Sequence, residues 1–239
     1  MDDLVGYEVR DGVAVASIDN GKANALSPAV LAELDACLTR AEEAGPSEVG
    51  ALVVTGRPGI FSGGFDLSVM RGSPSAAIEL VTQGGTLFTR LFASPVPVIG
   101  AASGHAIAGG ALLLLGCDYR VGASGAFRIG LIETEIGMVL PRWAIELSRE
   151  RLSPRQFQQA TVGAKVYEPG GAVEAGFLDA VVEPDALLDA AVAEAQRWGS
   201  FPRAAYAGQV RANRGERLGR LADALDSDRQ ASSILVEDP

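Results

Sequence analysis

Two glycine-rich segments constrain the fold of this chain more than any other feature. They are residues 61–67 (FSGGFDL) and residues 104–111 (GHAIAGGA), and a long apolar run follows the second. Each segment is typical of a tight loop that leads into a helix. The first backbone N–H groups of a helix have no carbonyl partner and point outward. Two such donors directed at one point would stabilise an oxygen atom that gains negative charge in a reaction.

The order of the other signals predicts an α/β protein. Asp11-Gly12 separates strand patterns at 7–10 and 13–18 and predicts a hairpin. Ser27-Pro28 and Ser73-Pro74 each combine an N-cap residue with a proline in the first helical turn. Further strands are predicted at 50–55, 98–102, 119–121, 127–129 and 177–182. We predict one α/β body over residues 1–183 and a helical C-terminal segment over residues 184–239.

Composition argues against several classes of partner. The net charge of −10 is unfavourable for binding nucleic acid or an anionic membrane surface. Residues 96–117 carry no formal charge, but Pro97 and five glycines favour a buried strand, loop and helix over a membrane span. Cys37 and Cys117 indicate reduced thiols, and no secretory signal is visible, so a cytoplasmic protein is expected. No spacing of histidine, cysteine and carboxylate residues predicts a metal site.

Five motifs occur in order along most of the chain. They are 22–26 (KANAL), 57–67 (RPGIFSGGFDL), 97–110 (PVIGAASGHAIAGG), Cys117-Asp118, and 129–133 (IGLIE) with Gly137. In this order and spacing the chain resembles the enoyl-CoA hydratase/isomerase (crotonase) superfamily. The resemblance implies an α/β spiral of ββα units, followed by C-terminal helices that assemble homotrimers or hexamers. It also implies an acyl-CoA thioester as the substrate, with CoA part of that substrate and no separate cofactor.

The resemblance also implies site residues. The oxyanion hole, which stabilises an enolate oxygen, would consist of the backbone N–H groups of Phe65 and Gly109. The residues implied to bind CoA and the acyl group are Lys22, Ala23, Ser62, Gly63, Gly64, Asp66, Leu112 and Ile132. Asp66 is equally typical of a helix cap. Lys22, Arg57 and Arg71 are either phosphate ligands or solvated surface cations. His105, the only histidine, is interpreted as a packing or loop-orienting residue.

The number of carboxylates distinguishes the reactions of this family. Hydratases use two glutamates, and the corresponding positions here are Leu112 and Glu133. One carboxylate is sufficient to move a double bond, since the proton that it takes from carbon 2 can return to carbon 4. Residues 129–143 resemble the mitochondrial-type Δ3,Δ2-enoyl-CoA isomerases, although Ile132 replaces their common asparagine. We therefore predict an enoyl-CoA isomerase of fatty-acid metabolism with Glu133 as the catalytic base.

Three alternatives remain open at this point. Glu135 would face the same side as Glu133 if the segment were extended, and only the four-residue spacing to Gly137 favours Glu133. The apolar neighbours of Glu133 predict a raised pKa, as a base requires. A hydratase (lyase) would need to activate water without a carboxylate at 112. A non-catalytic acyl-CoA-binding homologue would keep the oxyanion loops without a competent base.

Overall fold

A six-stranded sheet forms the framework of the protein, and the computed structural model describes residues 3–230. In spatial order its strands are β1 (Val5–Arg10), β2 (Val13–Ile18), β3 (Ala51–Gly56), β5 (Val98–Ala102), β7 (Tyr119–Ala123) and β10 (Ala180–Val182). The hairpin β1–β2 is antiparallel, and every later neighbour pairs in parallel. Asp11 and Gly12 both have positive φ in the hairpin turn, as the Asp-Gly signal predicted.

A second sheet of four short strands leads into both glycine-rich loops and the segment that contains Glu133. Its strands, in spatial order, are β4 (Gly59–Ser62), β6 (Gly104–Ile107), β8 (Ile129–Gly130) and β9 (Val166–Tyr167). The first three are parallel, so their carboxyl ends meet at one edge of the sheet. Both glycine-rich loops and the segment that contains Glu133 begin at this edge.

Several helices begin where local sequence signals place them. The helices are α1 (Pro28–Glu43), α2 (Leu67–Met70), α3 (Pro74–Ala93), α4 (Gly109–Gly116), α5 (Arg142–Arg151), α6 (Pro154–Thr161), α7 (Pro169–Ala175), α8 (Leu187–Gly199) and α9 (Arg203–Arg229). Ser27 caps α1 and Ser73 caps α3, each accepting a backbone N–H through its hydroxyl. Two 3₁₀ turns lie at Thr134–Ile136 and Pro184–Ala186.

The uncharged run 96–117 forms a buried strand and a buried helix as predicted, but residues 104–107 between them form the strand β6 where a loop was predicted. It contains β5, β6 and α4, and every residue of α4 is buried. No helix in residues 3–230 is both long and apolar enough to cross a membrane.

The strand predicted at 127–129 is wrong at its first two residues. Only Ile129 and Gly130 pair as a strand. The ring of Phe127 packs edge-on against the ring of His105, with ring centres 5.5 Å apart. The backbone N–H of Arg128 donates to Nδ1 of His105 at 3.0 Å. His105 therefore orients this loop. Its ring nitrogen accepts the Arg128 N–H that a carbonyl oxygen of a neighbouring strand would otherwise accept.

The C-terminal helices pack onto the body. Helix α8 covers one face of the large sheet through Leu187, Ala191 and Ala195. Helix α9 lies across α3 and α5, and its Arg214 pairs with the buried Asp118 at 2.6 Å. The division at residue 183 into two structural units stays a prediction.

Candidate active site

The two glycine-rich loops touch each other beyond the ends of β4 and β6. Gly64 has a φ of +98°, a conformation that glycine adopts readily and other residues avoid. A Cβ atom at Gly64 would lie 3.2 Å from the backbone nitrogen of Gly109. A Cβ at Gly110 would lie less than 3.0 Å from the carbonyl oxygen of Ser62. Glycine is thus required where the loops approach, and the close approach brings the two predicted oxyanion donors to one place.

Both donors lack an acceptor within residues 3–230. Neither the N–H of Phe65 nor that of Gly109 donates a hydrogen bond there. Gly109 is the first residue of α4, so its N–H lies at the positive end of a helix. Free N–H donors of this kind are what an oxyanion hole requires.

Ala108 sets the direction of the Gly109 N–H and was not identified from the sequence. Its φ of 51° and ψ of −121° are rare for a residue with a Cβ atom. Such backbone strain costs about 1–3 kcal/mol and is concentrated at functional sites. The sequence carries no signal for it, because alanine is ordinarily a helix-forming residue.

The segment 22–26 braces the first loop from behind. The Ser62 hydroxyl donates to the Asn24 carbonyl at 2.8 Å and accepts from the Gly64 N–H at 3.1 Å. The Gly63 N–H donates to the Ala23 carbonyl at 2.8 Å. Asn24 is fully buried, and its side-chain amide donates to the Ile18 carbonyl at 2.9 Å. Asn24 was not among the predicted site residues, although it lies within one of the five motifs.

Glu133 is a buried carboxylate, with 7% of its surface exposed. Its chain segment is not extended, because residues Thr134–Ile136 form a 3₁₀ turn that Gly137 ends in a left-handed conformation. Glu133 and Glu135 therefore do not share a side as an extended segment would require, and Glu135 is exposed.

The electrostatics of Glu133 follow from this burial. Desolvation raises the pKa of Glu133 to about 7, partly opposed by the backbone N–H groups of Glu133 and Ile132. Its Oε2 atom has no hydrogen-bond partner in the described part of the chain. Such a group ionises near neutral pH and remains free to accept a proton from a ligand.

The loops and Glu133 enclose a pocket of about 290 Å³. Of the predicted site residues, Gly63, Phe65, Ile132 and Glu133 line it, together with Ala108. Its remaining walls come from Leu67, Met70, Arg71, Ile136 and Met138. A larger groove of about 630 Å³ lies between α1 and α3. Of its carboxylates, Glu79 is exposed and Asp35 is half-buried, and neither glycine-rich loop lines it.

Other predicted residues lie behind or beside the pocket. Leu112 is buried in the core, with 1% exposed, and is not among the residues that line the pocket. Ser62 and Gly64 are buried in the first loop, whereas Lys22 and Ala23 are exposed. Asp66 caps α2, since its Oδ1 accepts from the Ser68 N–H at 2.8 Å, and hydrogen bonds from Ser68 lower the pKa of Asp66.

Two arginines that were considered as phosphate ligands have different environments. The guanidinium of Arg57 donates to the carbonyl oxygens of Gly21 and Lys22, both at 2.8 Å. Arg57 therefore holds the loop that contains Lys22. Arg71 is exposed at the pocket and has no such partner among residues 3–230. No cluster of three or more potential metal ligands occurs in those residues.

Comparison with known proteins agrees with the family predicted from the motifs. The family model described as Enoyl-CoA hydratase/isomerase matches residues 8–232. The chain belongs to the enoyl-CoA hydratase/isomerase family. It is therefore an enzyme of the crotonase fold from a family that acts on acyl-CoA thioesters.

Relatives of this family include proteins named for both reactions. A crystal structure of a family protein from Pseudomonas syringae is 44% identical, with a TM-score of 0.92 over 96% of this chain and 98% of that one. Human mitochondrial enoyl-CoA delta isomerase 1 is 32% identical over 83% of this chain, which spans 66% of the human protein's length. A Mycobacterium ulcerans structure described as an enoyl-CoA hydratase is 36% identical, with a TM-score of 0.88, and the match covers 94% of this chain and 97% of that one.

Proposed function

We propose that this protein is an enoyl-CoA isomerase that moves a double bond from the Δ3 to the Δ2 position. One observation carries the proposal. Glu133 is the only carboxylate among the described residues that line the pocket, and it is buried. Phe65 and Ala108, the residue before Gly109, line the same pocket. The position of a second family glutamate is occupied by Leu112.

The proposed reaction uses these groups in sequence. The thioester oxygen accepts hydrogen bonds from the N–H groups of Phe65 and Gly109. Ionised Glu133 removes a proton from carbon 2, and the electrons of the broken C–H bond delocalise onto the oxygen and the C3–C4 double bond. Protonated Glu133 then returns the proton to carbon 4. The double bond now lies between carbons 2 and 3, and the enzyme has regained its starting charge.

The apolar walls of the pocket support the role of Glu133 as a proton carrier. Its pKa of about 7 is high enough for a base that must take a weakly acidic C–H proton. The same value allows the protonated form to exist long enough to deliver the proton at neutral pH. The oxyanion donors stabilise the dienolate between the two steps, and one such donor typically contributes about 3–4 kcal/mol.

Hydration is the alternative reaction, and the names of relatives do not decide between the two. Adding water requires one group to activate the water and another to manage the proton at carbon 2. The pocket contains one carboxylate in the described residues, and its other lining side chains are apolar except for Arg71. This composition favours isomerisation.

A direct assay of both reactions tests the proposal. The purified protein is given 3-enoyl-CoA and, separately, trans-2-enoyl-CoA, and we expect isomerisation to be far faster than hydration. Equal or faster hydration would contradict the isomerase assignment.

Two matched variants test the base. Glu133→Gln should reduce isomerisation by about 10²–10⁴-fold, the usual contribution of general base catalysis, while acyl-CoA binding persists. Glu135→Gln removes an exposed carboxylate two residues away and should leave turnover unchanged. Undiminished turnover in Glu133→Gln would exclude Glu133 as the base. Binding without turnover in the unmodified protein would instead favour the non-catalytic homologue.

A further inference from the structure

We propose that the side chain of Phe65 forms the floor of the acyl pocket and limits the length of the acyl chain that the enzyme accepts. This inference rests on the proposed function, because it assumes that the pocket at Glu133 holds the acyl group. The backbone N–H of Phe65 serves the oxyanion hole, so its side chain is free for another task.

The ring of Phe65 fits into a notch made by two glycines. A Cβ atom at Gly84, on α3, would lie less than 3.0 Å from Cε1 and Cζ of the ring. A Cβ atom at Gly109, on α4, would lie 3.1 Å from Cδ2 and Cε2. The ring thus lies against the backbone of both helices. On the side of α3 it stacks on Phe88, with ring centres 6.2 Å apart and planes 13° apart.

The notch explains why removing the ring would lengthen the pocket. Phe65 lines the pocket, and the backbone behind its ring carries no side chain at Gly84 or Gly109 to fill the vacated space. The nearest side chain beyond the Phe65 ring is Phe88, which is fully buried and packs edge-on against Trp143, with ring centres 5.8 Å apart. Interior packing relaxes only partly around a deleted side chain, so most of the vacated volume should remain open.

The position of the Phe65 ring sets the expected limit on chain length. The pocket of about 290 Å³ must hold the thioester and the reacting carbons before any further methylene groups. We therefore expect affinity to rise with chain length only until the acyl group reaches the Phe65 ring.

A chain-length series with the variant Phe65→Ala tests this. In the unmodified protein kcat/KM should level off or fall beyond a short chain. In Phe65→Ala the optimum should move to chains several carbons longer, since each newly buried methylene contributes roughly fourfold. A profile that keeps its optimum while all rates change equally would overturn the proposal. Phe201→Ala removes a large ring that is 45% exposed outside this pocket, and should not move the optimum.

A second variant should act in the opposite direction. Gly84→Ala places a methyl group against the ring and should push it into the pocket, so that the accepted chains become shorter. Combining Gly84→Ala with Phe65→Ala should return the optimum toward longer chains. A merely structural role of Phe65 would lower stability without these opposite shifts. If Phe65→Ala does not fold, Phe65→Leu provides a smaller change in the same direction.

Binding measurements separate this inference from the proposed reaction. Inhibition or binding constants of saturated acyl-CoAs of increasing length report the pocket without any turnover. A longer optimum for Phe65→Ala in binding, with no isomerisation in the unmodified protein, would support the floor and refute the isomerase. An unchanged binding optimum in an active isomerase would refute the floor alone.

Discussion

Burial of Glu133 has a direct consequence for the pH dependence of the reaction. The base must be ionised, and its pKa of about 7 means that it is mostly protonated below neutral pH. We expect kcat/KM for isomerisation to rise about tenfold per pH unit below 7 and to level off above it. A pH–rate profile of the free enzyme measures this. A rate that is constant between pH 5 and 9 would contradict a buried glutamate as the base.

The same burial predicts a penalty in stability. The folded state raises the pKa of Glu133 from 4.5 to about 7, so the unfolded chain ionises this group first as pH rises. The folded protein therefore pays no penalty below pH 4.5, and the penalty grows until it is complete above pH 7. Glu133→Gln should raise the free energy of unfolding by roughly 3 kcal/mol at pH 8 and by little at pH 4.5. Urea unfolding at both pH values measures the difference, and equal effects would contradict it.

A substitution at Gly64 should affect both stability and the proposed oxyanion hole. Gly64→Ala introduces both a strained φ and a Cβ 3.2 Å from the Gly109 nitrogen. We expect a loss of about 1–2 kcal/mol in stability from the left-handed conformation. Displacement of one oxyanion donor should also lower kcat by about 10²-fold or more.

Gly12→Ala is the matched control for this change. Gly12 also has a positive φ, +78°, but a Cβ there would meet nothing within 4 Å, and it lies in the β1–β2 turn. It should cost similar stability and leave kcat unchanged. If both variants lowered kcat equally, the loss could not be assigned to the Gly109 N–H.

At the scale of helices and strands, local signals explain the long elements and fail for the short ones. Helices α1 and α3 begin at Ser-Pro pairs because the cap and the fixed φ of proline act within one turn. The strand near Phe127 depends on a partner distant in sequence, since His105 bonds Arg128. The turn after Glu133 is short and is closed by hydrogen bonds within residues 132–138. The site motifs were visible in the sequence, but the strained backbone of Ala108 and the exposure difference between Glu133 and Glu135 were not.

Helix α5 illustrates an end that depends on another element. Its N-cap residue, Pro141, offers no side-chain acceptor. The carboxylate of Asp228, on α9, accepts from the backbone N–H of Trp143 at 3.0 Å instead. A carboxylate at this position satisfies a free N–H and favours the helix dipole.

Removing this remote cap should destabilise the protein. We expect Asp228→Ala to lower the free energy of unfolding by about 1 kcal/mol, as for other N-caps. Asp226→Ala removes a 69% exposed carboxylate that pairs with Arg229 on the same helix, and should cost less than about 0.5 kcal/mol. Urea unfolding of both variants checks this, and equal losses would show that Asp228 does not act as a cap.

On the scale of the whole molecule, a buried charge joins the C-terminal helices to the body. Asp118 has a fully buried side chain and accepts from Arg214 at 2.6 Å, Tyr206 at 2.8 Å and the Val98 N–H at 2.8 Å. Arg214 and Tyr206 both belong to α9. Removing one partner of a buried ion pair typically costs about 3–5 kcal/mol, because the remaining charge stays unpaired. The body therefore depends on the segment after residue 183.

This dependence predicts that the two parts unfold together. The chain has two tryptophans, one in each part. Trp143 is fully buried in the body, and Trp198 lies on α8, with its ring centre 6.3 Å from that of Tyr206. In Trp198→Phe the fluorescence reports the body, and in Trp143→Phe it reports the C-terminal helices. Within each variant, fluorescence and far-UV circular dichroism should give the same urea midpoint. A Trp198 signal that is lost well before the dichroism would mean that residues 184–230 separate first, and the buried Asp118 would then not couple them to the body.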